Sequence, residues 1–372
     1  MNSLLLAKHE KFFNRCLIGL PSSASSEDSD KLAIIYFCLH GLQLINKFNF
    51  SNEELQYYID FIYRDYLIET EDMIGFRTTN YFKSCGEEYD SINLSASLFA
   101  LYILLVLKSN YSIKIPQHKI MKLLSRCQIK SGPNKGAFVP TLTYHNGEYA
   151  QFGETDLRFC YIALLIRHLV KYDEGSNRDN DIDTQALQEF ILTRLNHDGG
   201  FSSQILDESH LGFTFCAISA LKLLNYPIEK LEQTREWLIK RQSDYPASLY
   251  DSIEYQYYRK EDIGGFNGRD NKFSDTCYSW WATGALYIMN PQNIQLINQA
   301  KAEEYLLTQT QNELFGGFAR DIEARPDPMH SFMALASLSL WNREKYGLNE
   351  IQPILVISHD SYDFFKNSIQ YS

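Results

Sequence analysis

Gly264-Gly265-Phe266, then Asn267-Gly268-Arg269-Asp270-Asn271-Lys272-Phe273-Ser274-Asp275, then an apolar run over 276–289, make up the unit from which this chain is built. A double glycine is a place for a helix to stop, because glycine tolerates the left-handed conformation. The run that follows is apolar nearly all round, which predicts a helix buried on several sides. The punctuation recurs at Gly75-Phe76, Gly136-Ala137-Phe138, Gly199-Gly200-Phe201 and Gly316-Gly317-Phe318, with the phenylalanines 62, 63, 65 and 52 residues apart. Apolar segments follow at 94–107, 157–170, 213–224 and 330–341, and a sixth of the same type spans 32–45. Between them lie amphipathic stretches, 120–127, 185–195, 229–241 and 300–310, expected as outer helices. Six hairpins of one outer and one inner helix stack as an open solenoid or close into a ring. Strand-like alternation is scarce, so the expectation is one all-α domain over residues 1–372.

Composition narrows the function classes. Hydrophobic content of 45% and charged content of 22% are those of a soluble globular protein. The 25 tyrosines and 23 phenylalanines fill cores for the most part, while a minority can line an apolar cavity. A net charge of −11 argues against nucleic acid and is compatible with a basic peptide partner. Leu4-Leu5-Leu6-Ala7 is too brief for a signal peptide, and the longest apolar run is too short for a membrane span. Seven scattered cysteines without a CxxC pair fit a reducing compartment, so a cytoplasmic protein is expected.

The chemistry concentrates at 264–278. Arg269 and Lys272 suit an anion such as a diphosphate; Asp275 and Cys277 suit zinc. Residues two apart do not share a helix face. They converge on one ion only at a helix start, and Asp275 is a good N-cap type. A third ligand must come from another repeat. His330 opens the last inner segment, where Asp275 and Cys277 stand one repeat earlier. Three protein ligands leave a fourth position for substrate. Trp280 and Trp281 are expected as core.

At this point the stretch 264–281 resembles the zinc and diphosphate motif of the β subunit of the protein prenyltransferases, and the resemblance runs from Leu32 to about Leu340. It implies an α/α toroid, a six-fold barrel of helical hairpins with inner and outer helix rings. It implies Asp275, Cys277 and His330 as zinc ligands that activate a cysteine thiol for prenyl transfer. His210, Arg269, Lys272 and Tyr278 would contact the diphosphate. Of the three subfamilies, the type I geranylgeranyl enzyme is resembled most, through Asp156-Leu157-Arg158-Phe159-Cys160-Tyr161. Glu154 and Arg158 would help bind the terminal carboxylate of the peptide, with Phe159 beside them on the lipid or peptide. Ala33 stands where farnesyl enzymes have a bulky Trp, so a longer geranylgeranyl chain would fit. Arg320 stands where type I enzymes carry Lys and the others an Asp that helps hold magnesium, so magnesium would not be essential. Leu211 and Asn93 differ from the family pattern, which has Gly and His there; Asn93 would still serve the carboxylate. The resemblance further implies a separate α subunit in a heterodimer, with CaaX proteins such as Rho-type small GTPases and geranylgeranyl diphosphate as substrates.

Alternatives from the same residues are the Rab-type geranylgeranyl or the farnesyl β subunit, and a helical-repeat binding module without chemistry. Terpene cyclases share the architecture but protonate an olefin with an Asp-rich motif such as DxDD. Here Asp179-Asn180-Asp181-Ile182-Asp183 only alternates.

Overall fold

The computed structural model describes residues 3–371 apart from 21, 85–88, 146, 176–178 and 246–258. In chain order the helices are α1 (Leu6–Ile18), α2 (Lys31–Leu44), α3 (Asn52–Phe61), α4 (Leu94–Val106), α5 (Gln117–Cys127), α6 (Leu157–Leu169), α7 (Thr184–Leu192), α8 (Leu211–Leu223), α9 (Glu232–Ile239), α10 (Thr276–Met289), α11 (Gln299–Glu304), α12 (Pro328–Tyr346) and α13 (His359–Ser368). Two compact units result. One holds Met1–Gly19, Phe37–Phe48 and Arg194–Ser358, the other Leu20–Tyr36, Asn49–Thr193 and His359–Ser372.

In the first unit α10 packs against both α8 and α12, and α9 packs on α10. The three inner helices start within two residues of the apolar runs that predict them. Phe201, Phe266 and Phe318 are completely buried. Inner-helix hydroxyls fix two of them: Thr214 Oγ1 accepts the N–H of Phe201 at 2.9 Å, and Ser331 Oγ that of Phe318 at 2.8 Å.

The double glycine does not end the outer helix as expected: α7 already stops at Leu192 and α9 at Ile239, and the glycines shape the turns beyond them. Gly264 has φ +89°, and a Cβ there would stand 2.3 Å from the carbonyl oxygen of Lys301 in α11. Gly199 repeats this, with φ +98° and Gln233 of α9 at 2.5 Å. Each turn is thus pressed against the backbone of the next outer helix. A glutamine seals the contact. The side chain of Gln242 accepts from the N–H of Asn298, the N-cap of α11, at 2.8 Å and donates to its carbonyl at 2.9 Å. Gln311 accepts from the N–H of Leu5, the N-cap of α1, at 3.0 Å. These bonds satisfy backbone groups that helix starts otherwise leave open.

His9 completes this joint. Its ring is fully buried, stacks on Phe318 at 4.8 Å, and its Nδ1 accepts the N–H of Gly317 at 2.9 Å. The remaining proton is therefore on Nε2, which donates to Gln311 Oε1 at 3.0 Å. Burial, partly offset by that bond, lowers the imidazole from 6.5 to about 4. Between those values the unfolded chain binds more protons than the folded one, so stability rises with pH across the window. The contribution is complete above about pH 6.5 and is lost toward pH 4, by roughly 3 kcal/mol. Urea unfolding at pH 7.5 and 4.5 checks this: wild type is expected to lose more stability over the interval than His9→Gln.

The second unit packs α4 on α6, with α13 against α4 and α7 against α6. Every residue of α4 is buried except Ser95 and Phe99, as its unbroken apolar run requires. In α5 only Ile120, Met121, Leu123, Leu124 and Cys127 are buried, an amphipathic pattern of an outer helix. Gln128 repeats the glutamine seal, bonding both backbone groups of Asp183, the N-cap of α7, at 2.8 and 2.9 Å. Asp181 holds Arg167 through two bonds of 2.8 and 2.7 Å, so these two acids serve structure.

One feature departs from the all-helical expectation. Strands β1 (Leu67–Glu69), β2 (Ile74–Phe76), β3 (Ile92–Asn93), β4 (Thr141–His145) and β5 (Glu148–Phe152) form an antiparallel sheet in that order. Asn146-Gly147 in the sequence is a hairpin signal, whereas strands of two or three residues are too short to show alternation. The ladder sets Asn93 between Phe76 and Thr141.

Candidate metal and anion site

The site residues of the first unit stand where inner helices begin. His210, Asp275 and Asp327 are the N-caps of α8, α10 and α12, each with extended backbone and a side chain that accepts from its own helix. Helix N-termini carry partial positive charge, which favours anions there.

Asp275, Cys277 and His330 offer ligand atoms that all lie within 4.8 Å of one another. The extended cap at Asp275 lets two residues of unlike helical faces converge. A short hairpin brings up the third, β6 (Phe318–Ala319) pairing with β7 (Pro326–Asp327) just before His330. Thr276 ties the two together, its N–H donating to the Arg320 carbonyl at 2.9 Å and its hydroxyl to that of Ala319 at 2.7 Å.

This donor set fits zinc. His330 Nδ1 bonds Asp327 Oδ2 at 2.6 Å, and Nε2 faces Asp275 Oδ1 at 3.2 Å. A carboxylate on the far nitrogen is how ligating histidines are oriented. Burial by itself would lower the His330 imidazole, but its hydrogen bonds to the Asp275 and Asp327 carboxylates outweigh it and push it up to about 9. Burial and the Asp275 carboxylate push the Cys277 thiol well up, so it keeps its proton without a cation beside it.

Next to the triad is a phenol–imidazole pair. His210 Nδ1 accepts the N–H of Gly212 at 3.1 Å, which places its proton on Nε2. Nε2 lies 3.1 Å from the Tyr278 hydroxyl and donates to it, leaving the phenol hydrogen for an incoming acceptor. Burial, then the charges of Cys277 and Asp275, raise the Tyr278 pKa, so it stays a donor. Gly268 makes room: a Cβ there would meet the Tyr278 ring at 2.1 Å.

The cations surround this pair in sequence. Arg269 donates to Glu208 at 3.3 Å, and Lys272 is exposed, without an ion pair among the described residues. Arg320 Nε donates to Asp321 at 2.9 Å, with its side chain 59% exposed. Leu211 is fully buried and its N–H bonds the Gly268 carbonyl at 2.9 Å, so the departure from Gly fills core. Trp280 is core as expected, whereas Trp281 is half-buried, 4.8 Å from the Phe215 ring.

The remaining candidates belong to the second unit. Arg158 makes its main bonds with Asp156, the N-cap of α6, at 2.6 Å, and a longer one with Glu154 at 3.4 Å. Glu154 is 82% exposed, and the Arg158 guanidinium lies 5.5 Å from the half-buried Phe159 ring. Asn93 caps α4 by accepting from Ala96 at 3.0 Å and donates to the Thr141 hydroxyl at 2.9 Å. Ala33 is half-buried in the first turn of α2. Sequence reasoning missed Asp327 as the orienter of His330 and Asp156 as the main partner of Arg158. Asp followed three residues later by His, with Pro between, is a helix-start pattern that would have found the first.

A family model described as the prenyltransferase alpha-alpha toroid domain matches residues 4–357. Among solved structures, Candida albicans protein geranylgeranyltransferase-I complexed with GGPP is 63% identical, covers 100% of both chains and superposes with a TM-score of 0.96. The geranylgeranyl transferase type-1 subunit beta of Dictyostelium discoideum is 28% identical over 90% of each chain. That of Arabidopsis thaliana is 29% identical over 72% of this chain and 63% of its own.

Proposed function

The chain belongs to the prenyltransferase alpha-alpha toroid family, and we propose that it is the catalytic β subunit of a type I protein geranylgeranyltransferase. The observation that carries the reading is the Asp275–Cys277–His330 triad beside the His210–Tyr278 pair, on neighbouring helix starts. The proposed reaction joins the cysteine sulfur of a CaaX protein, such as a Rho-type small GTPase, to the first carbon of geranylgeranyl diphosphate, and the diphosphate leaves. Zinc bound by Asp275, Cys277 and His330 supplies a Lewis acid that lowers the pKa of the substrate thiol. His210 orients Tyr278, whose hydroxyl donates to the diphosphate as charge builds on its bridging oxygen. Arg269, Lys272 and Arg320 hold the remaining charge, Arg320 as a fixed cation in place of magnesium. Ala33 leaves room for the longer lipid, Glu154, Arg158 and Asn93 serve the terminal carboxylate of the peptide, and Phe159 lies beside the lipid or peptide. The two units act as one domain across the family match, paired with an α subunit in the cytoplasm.

The test is turnover of one CaaL peptide by the chain co-expressed with its α subunit, using geranylgeranyl or farnesyl diphosphate, with and without magnesium chelation. Geranylgeranyl preference that survives chelation supports the reading. Farnesyl preference would overturn the role of Ala33, and magnesium dependence that of Arg320; no transfer to any CaaX peptide would point to a Rab-type subunit. Within the same assay Gly268→Ala is expected to displace the Tyr278 phenol and lower kcat on the order of 10²-fold, the usual effect of losing one such donor. An unchanged kcat with unchanged Tm would remove Tyr278 from the mechanism.

A further inference from the structure

The loop bearing Arg269 and Lys272 also carries Asp270, adjacent to one cation and two residues from the other. An unattached carboxylate there would pair with either of them and cancel part of the field that attracts an anion. In the structure it is held elsewhere. Asp270, 63% exposed, pairs with Nη2 of Arg241, whose side chain is only 6% exposed. Arg241 follows the end of α9, with its guanidinium 4.6 Å from the Trp237 ring centroid. Its carbonyl accepts the N–H of Asn267 at 2.9 Å, at the root of the loop. Nε and Nη1 of Arg241 have no hydrogen-bond partner among the described residues, and among those residues Asp270 is the one anion paired with this buried charge. A desolvated cation attracts a carboxylate more strongly than the exposed Arg269 or Lys272 can, because solvent screens it less.

We propose that Arg241 is a positioning residue that sequesters Asp270, so that Lys272 keeps no ion pair among the described residues and Arg269 only its exposed 3.3 Å contact with Glu208, which leaves both cations available to the diphosphate. The inference rests on reading that loop as the diphosphate site.

The experiment is a double-mutant cycle on the complex with the α subunit, following the dissociation constant of geranylgeranyl diphosphate together with kcat and KM. Arg241→Gln is expected to weaken the diphosphate about tenfold by releasing Asp270 onto the cations. Asp270→Asn is expected to bind as tightly as wild type or tighter. The double variant is expected to return to within about twofold of wild type, because the competitor is gone. A role confined to packing against Trp237 would show a loss that Asp270→Asn does not rescue, and that result overturns the proposal, as does wild-type affinity in Arg241→Gln. If the glutamine variant fails to fold, Arg241→Met, which fills the same space, is put through the same cycle. Binding by wild type with no rescue removes this inference alone. No binding by wild type removes the reading of the loop as well.

Discussion

His330→Ala is expected to lose stoichiometric zinc on dialysis and to reduce transfer to a CaaX peptide by at least about 10²-fold, with the complex still folded. The reason is the ligand count. Asp275 and Cys277 come from one helix start, and only His330, from α12, closes the set. A two-ligand remnant holds zinc weakly. Asp327→Asn is expected to fall between, lowering zinc affinity by roughly 10- to 100-fold, because it keeps the shape of the cap but weakens the bond to Nδ1. Metal analysis and competition with a chromophoric chelator measure both. Full zinc occupancy in His330→Ala would mean that the ion is held elsewhere.

Gly264→Ala is expected to destabilise the protein by roughly 3–5 kcal/mol, the upper range for a single substitution. Two costs combine. A non-glycine residue at φ +89° is strained, and its Cβ would stand 2.3 Å from backbone that cannot step aside, since Gln242 ties the start of α11. Gly347→Ala is the control: φ is +63° there with nothing within 4 Å of the added atom, so strain alone applies, about 1 kcal/mol. Urea unfolding of the two variants separates the effects. Equal losses would show that the close approach at Gly264 relaxes freely.

Much of this protein was legible before its structure. A helix buried on most sides must be apolar nearly all round, so α4, α6, α8 and α10 read as largely apolar runs with ends known to within two residues. Asp275, Cys277 and His330 were legible because they combine ligand-type side chains with equivalent places in successive repeats. The sheet in the second unit was not, because strands of two to five residues carry too little periodicity. Asn93 is an example of a partial reading: its cap position follows from local pattern, whereas its bond to Thr141 exists only through strand pairing across 48 residues.

By itself, then, the order of residues determined the helical repeat, the glycine turns and the ligand types at helix starts, since backbone preference and the apolar pattern are read from neighbours a few positions away. Only the tertiary structure decided which partner each charged or polar side chain takes. Asp327 turns to His330, Asp156 holds Arg158 more closely than Glu154 does, Arg241 claims Asp270, and Gln242 spans 56 residues to seal the next helix. Several acceptors lie within reach of each of these groups in sequence, and the choice among them falls to desolvation and distance, which exist only once the chain has packed.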